Sequence, residues 1–309
     1  MRCRLLFFTA LLAGALLVGG PERTEARMAG LDLPPRFALW TSAPGVEVYG
    51  SEEGTEFVQV IDLRSGARLD FWYRLATGPS PINQGRSEGI FGGNSPAFER
   101  HYLPSVWEEA VVDEALCLAN GQFFRDTING RWVDPTELAY PLKSDGVLVS
   151  EGYERYKFRR HRQMLALWPA EASIMPLNRA ALYSSTAPDI IAGLAETASV
   201  RSSESLGRTF VGTADRDGDG GSETVLIYSG EAATQREAGG TLRAFGANAV
   251  MMLDGGGSNQ LLCEGSSLIN RVRPLPQMIA TVPGGPMVGE EAPVLELLKQ
   301  HLAEWRHRL

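Results

Sequence analysis

Apolar and polar residues alternate, or nearly so, over residues 45–50 and 56–63, pause at Arg64, Ser65 and Gly66, and resume over 69–73. A period of two is the mark of strands with one buried face, so these segments predict an antiparallel meander. Residues 87–96, rich in Gly and Asn, predict a surface loop, and the short apolar runs 115–119 and 146–150 predict further strands.

A helical period predicts four helices. Residues 105–114 place Ser105 and Glu108 at capping-box spacing. Residues 186–198 offer Thr186 as N-cap, Pro188 in the first turn, and Ile190, Ile191 and Leu194 on one face. Residues 231–245 bring Ala238, Leu242 and Phe245 to an inner face, with Gly246 as the stop. Residues 291–309 carry Val294, Leu298, Leu302 and Trp305 as an amphipathic stripe. Strands first and helices interspersed later predict an α+β fold: one domain over 27–290, with a large mixed or mainly antiparallel sheet around a few helices.

One segment fits neither period. Residues 249–253 are an uninterrupted apolar run, short enough for a buried strand, and the chain then presents Asp254, Gly255, Gly256, Gly257 and Ser258. A carboxylate at the end of a core strand is costly unless paired or used. Three glycines strip the turn of side chains, so a ligand can reach backbone N–H groups. The plainer reading is a glycine-rich hairpin capped by its own Asp. Asn120 and Gly121 likewise end an apolar strand, and from the residues alone they read as a turn with Phe123 and Phe124 in the core.

Asp215, Asp217, Asp219 and Glu223 alternate with Gly in the manner of a calcium loop, although Leu226 stands where an EF-hand has its final Glu. Structural calcium and a simple Asp/Gly hairpin are both open readings, and no other cofactor is required. The four histidines have no zinc-ligand spacing.

The N-terminus changes the address. Arg2 and Arg4 precede an apolar run from Leu5 to Val18, and Ala26 closes a cleavage-site pattern, which predicts a signal peptide over 1–26 and a secreted or periplasmic envelope protein. An uncleaved anchor is the other reading. The net charge is −8, and losing three arginines and two glutamates with residues 1–26 makes the remainder one unit more negative. Such a charge argues against a general nucleic-acid or anionic-membrane binder, which would need a basic face, while local arginine clusters can still hold a phosphate.

The 253–258 stretch resembles the signature of the phosphodiester glycosidase family. Gly207, Arg208, Thr209 and Phe210 resemble that family's Arg-Thr segment, residues 119–124 its Asn-Gly-x-Phe-Phe segment, and Arg273 with Pro274 its closing segment. Order and spacing agree over roughly residues 55–283. The resemblance implies a glycosidase that cleaves a sugar 1-phosphodiester or a cell-surface glycopolymer into free sugar and a phosphomonoester. It implies Asp254 as the carboxylate and Arg208 and Arg273 as phosphate holders. Asn120, Gly121, Phe124, Thr209 and residues 255–258 would position the substrate. The family's acid after the aromatic pair is not carried over, because Arg125 stands there and Asp126 follows.

Export leaves Cys117 and Cys263, close to the two motifs. An oxidising compartment predicts a disulfide between them, and two buried free thiols are the alternative. A carbohydrate- or calcium-binding envelope protein and a phosphodiesterase that breaks the P–O bond are the rival functions.

Overall fold

The computed structural model describes residues 33–77, 86–109 and 114–285. The predicted signal segment and the predicted helix over 291–309 lie outside the described residues. Sheet dominates: an eleven-stranded sheet, a five-stranded sheet and two small hairpins, with three α-helices among the described residues. Every strand pair in them is antiparallel, so the fold is closer to all-β than the expected α+β arrangement.

The meander predicted at the start is present. Strands Val46–Ser51 and Glu56–Asp62 pair, and Arg68–Tyr73 leaves for the second sheet after Gly66 closes the intervening turn at φ 79°. The large sheet continues through Thr224–Ala233, Leu206–Ala214, Ala249–Met252 and Asp189–Ala195. The five-stranded sheet runs in the order Ser266–Ile269, Leu261–Cys263, Cys117–Asn120, Gln277–Val282, Arg68–Tyr73.

Alternation along the central strands sorts the core into two layers. Val211, Ile227 and Met251 face the five-stranded sheet, whereas Phe210, Tyr228 and Met252 face helix Gln235–Ala244. That helix has the predicted inner face and a full capping box from Thr234 and Glu237. Its predicted first turn belongs instead to strand Thr224–Ala233.

Three sequence expectations are corrected. Residues 186–198 contain strand Asp189–Ala195, flanked by partners on both sides and with Ile190, Ile191 and Ala192 fully buried. Burial on both faces removes the polar stripe that separates a strand from a helix in sequence. The first helix is Leu103–Glu108, started from Tyr102 without a side-chain cap. Residues 87–96 form most of a small hairpin, Arg86–Glu88 with Asn94–Pro96.

Candidate active site

Strand Ala249–Met252 ends where the two sheets meet. The Leu253 N–H donates to the Thr209 carbonyl in the large sheet, and the Asp254 N–H donates at 3.2 Å to Gly121 at the end of Cys117–Asn120. The chain turns through a 3-10 segment, Gly256–Ser258, and enters the second sheet at Leu261–Cys263. Cys263 lies opposite Cys117 in that sheet, and the two form a disulfide.

Asp254 itself is half-buried and accepts from the Gly255 N–H at 3.0 Å. Burial, before all else, pushes its carboxyl up from the ordinary aspartate range to about 6; Ser258, Arg273 and the Gly255 N–H hold it down, and Asp126 adds to the rise. Ser258 is fully buried, and its hydroxyl makes no well-formed hydrogen bond among the described residues.

Asn120 and Thr209 stand behind this carboxylate rather than beside a ligand. Both are fully buried. The Asn120 amide donates to the Asp254 carbonyl at 2.8 Å, and its oxygen accepts from the Thr209 hydroxyl at 2.7 Å and the Gln260 N–H at 3.1 Å. The Thr209 hydroxyl also lies 2.9 Å from the Asn259 amide oxygen, so its single proton serves one of them at a time. Every polar side-chain atom of Asn120 is spent on these internal bonds.

The glycines divide by role. A Cβ on Gly121 would overlap the Gln277 amide, which accepts from the Gln122 N–H at 3.0 Å. A Cβ on Gly255 would lie 2.6 Å from the Gly207 carbonyl. Gly256 has φ +61°, and Gly257 is exposed, its missing side chain leaving open space beside Arg273. Packing thus demands glycine at 255 and backbone conformation favours it at 256, whereas neither does so at 257.

Arg208 is corrected from phosphate holder to structural arginine. It is buried, and its guanidinium donates to the carbonyls of Ala233, Val200, Arg201 and Glu204. It points to the helix side of the sheet, and its neighbour Thr209 points to the other, as strand alternation requires.

Arg273 does reach the site. It pairs with Asp126 at 2.5 Å, its Nη1 lies near Gly257, and its buried Nε has no partner among the described residues. Phe124 lies beneath it, 5.0 Å from guanidinium carbon to ring centroid. Three residues join that the sequence did not single out. Arg100, with a fully buried side chain, shares the same Asp126 oxygen at 3.2 Å and also covers Phe124 at 4.7 Å. Asp126 thus anchors two guanidinium groups. Tyr153, its ring 4 Å or less from the Arg125 guanidinium carbon, is pushed up to about 12 by burial, with Arg125 opposing and Asp254 among the acids that add to the rise. It stays a hydrogen-bond donor at neutral pH. A signal for Asp126 existed in its nearness to the aromatic pair; Arg100 and Tyr153 had none.

The acidic loop forms the turn between strands Leu206–Ala214 and Thr224–Ala233. Carboxylate oxygens of Asp215, Asp217 and Glu223 lie within 4.8 Å of one another, and the buried Glu223 Oε2 has no partner among the described residues. Asp219 is not in that group: it and Asp217 pair with Arg64.

No curated protein sequence matches the chain. Among solved structures, the zebrafish N-acetylglucosamine-1-phosphodiester alpha-N-acetylglucosaminidase catalytic domain, auto-inhibited by its pro-peptide, is similar at 12% identity with a TM-score of 0.50, over 79% of this chain and 85% of that one. A hypothetical protein from Synechocystis matches at 12% identity and TM-score 0.45 over 81% of this chain and 64% of its own. A putative exported protein from Burkholderia pseudomallei matches at 13% and 0.42 over 79% and 76%. The likeness to the zebrafish domain is one of fold. The sequence model for phosphodiester glycosidases matches residues 114–282, a span that holds Asn120, Asp254 and Arg273 and more than half of the chain; this chain belongs to the phosphodiester glycosidase family.

Proposed function

We propose that this chain is an exported hydrolase that cleaves the bond between the anomeric carbon of a sugar and a phosphodiester, releasing free sugar and a phosphomonoester. The observation that carries the reading is the Asp254 carboxyl, raised to about 6 at a glycine-lined turn with Arg273 beside it. Breaking the C1–O bond leaves an oxocarbenium-like centre, which an ionised carboxylate stabilises or relieves by activating water. The electron pair departs on phosphate, a good leaving group, so a cation can replace a strong general acid. Arg273 is that cation: its Nη2 is held by Asp126, and its Nη1 lies beside the open space at Gly257. Export is supported by the basic-then-apolar N-terminal sequence and by the Cys117–Cys263 disulfide, which persists in oxidising compartments. No helix among the described residues is long and apolar enough to cross a membrane.

The test is incubation of the chain, and of Asp254→Asn, with UDP-N-acetylglucosamine. Free N-acetylglucosamine and UDP from the wild type alone support the reading. N-acetylglucosamine 1-phosphate and UMP would instead identify attack at phosphorus, here on the phosphoanhydride, and binding without product a carbohydrate-binding protein.

A further inference from the structure

Next to the candidate active site, the described structure sets a large aromatic ring at the surface on a fixed base. Trp132 ends the hairpin formed by Thr127–Ile128 and Arg131–Trp132, whose turn uses Asn129 at φ 50° and Gly130 at φ 75°. The hairpin is closed at its root by the Val133 N–H donating to the Asp126 carbonyl at 3.1 Å. Trp132 is 52% exposed, unusual for so large an apolar side chain.

The ring does not hang free. The Arg100 guanidinium carbon sits 4.1 Å from its centroid and that of Arg273 5.7 Å. Arg100 is in turn held by the Asp126 carboxylate and by the carbonyls of Arg125 and Asp126 at 2.8 and 3.2 Å. Trp132 is therefore locked by the same charge cluster that delivers Arg273 to Asp254. A rigid aromatic surface stacks a ligand ring with little ordering cost. The cavity on the hairpin adds Asn129, Arg131 and Asp134 to the tryptophan, and an aromatic surface with a few polar groups suits a polar ring with an apolar face.

We propose that Trp132 is the specificity-determining residue of the leaving-group side: it selects phosphodiesters whose phosphate carries a ring, a pyranose first of all, over those with a small alkyl group. This rests on the hydrolase reading above. That reading places the phosphate on Arg273, and the group esterified to it then extends over the neighbouring tryptophan.

Three diesters of N-acetylglucosamine 1-phosphate test it: to methanol, to O6 of a methyl glucoside, and to O5′ of uridine. Wild type is expected to show a KM for the glucoside ester roughly tenfold below that for the methyl ester. Trp132→Ala abolishes that difference by raising KM for the glucoside ester far more than for the methyl ester, and Trp132→Phe restores most of it. Preference for the uridine ester over the glucoside would overturn the pyranose assignment. Equal losses on all three esters, or none, would overturn the role of Trp132. If wild type cleaves no ester, the hydrolase reading fails separately. Calorimetry with methyl glucoside 6-phosphate and inorganic phosphate then decides the subsite: Trp132→Ala must weaken only the former, and equal binding of the two by wild type refutes it.

Discussion

The side-chain amide of Asn120 donates to the main-chain carbonyl of Asp254 at 2.8 Å, so the last residue of a strand in one sheet fixes the residue just beyond a strand of the other. Asn120→Ala would strand that carbonyl and the Gln260 N–H, while the Thr209 hydroxyl keeps the Asn259 amide oxygen as its acceptor. A loss of about 3 kcal/mol in urea unfolding is expected, from unsatisfied groups worth ~1–3 kcal/mol each. In the folded fraction kcat should fall roughly a hundredfold with KM nearly constant, because Asp254 loses its orientation. A raised KM at full kcat would instead make Asn120 a substrate contact.

Gly121 owes its identity to Gln277. Gly121→Ala forces a methyl group into the Gln277 amide and should lower the melting temperature sharply. Adding Gln277→Ala removes the obstacle, and the double variant should recover part of the loss despite the two hydrogen bonds that Gln277 gives up. A double-mutant cycle should return a favourable coupling of about 1 kcal/mol or more. Simple additivity would show that the clash is relieved elsewhere.

Much of this architecture is written in the local pattern. The meander, helix Gln235–Ala244 and the strand leading to Asp254 all follow from short-range periodicity and turn chemistry. Strand Asp189–Ala195 was hidden because a strand covered on both faces has no polar stripe. In the Arg208-Thr209 pair, the motif marks both residues while strand geometry sends them to opposite faces. The pairing of Asp126 with Arg100 and Arg273 is a long-range fact that no local pattern records.

Arg208 and Arg273 should separate cleanly. Arg208→Lys loses a planar fork that serves four carbonyls, and an ammonium group cannot reach them all. It should destabilise the fold by about 2–4 kcal/mol, as broken buried networks do, with KM of the folded protein nearly unchanged. Arg273→Lys should leave the melting temperature within about 2 °C and lower kcat/KM by about tenfold or more, in proportion to the lost charge-assisted contact. Reversed outcomes would restore Arg208 to the substrate.

Calcium on the acidic loop is a proposal that Arg64 makes testable. Its guanidinium pairs with Asp217 and Asp219, in competition with any cation gathered by Asp215, Asp217 and Glu223. Wild type should bind calcium weakly, with Kd on the order of 1 mM as in extracellular modules. Arg64→Ala should tighten that by roughly tenfold, since affinity follows ligand charge, and Asp215→Asn should abolish it. Calorimetry that finds no heat in Arg64→Ala would leave the loop a plain hairpin.

Asp254 should reveal its role in two pH profiles. Its native pKa of about 6 lies above its ordinary value of 3.8, so the folded state holds the proton more tightly than the unfolded one. The stability this contributes is full below pH 3.8 and lost as pH rises through 6. Asp254→Asn carries no such charge. Its stability relative to wild type should therefore climb between pH 4 and 7, by up to about 3 kcal/mol from a shift of some two units. Wild-type activity should rise over the same range, as the carboxylate ionises, and be about tenfold lower at pH 5 than at its plateau. A variant that gains stability while losing turnover places the cost of a half-buried carboxylate at the site of chemistry. Turnover that increases below pH 6 would assign Asp254 the part of a proton donor instead.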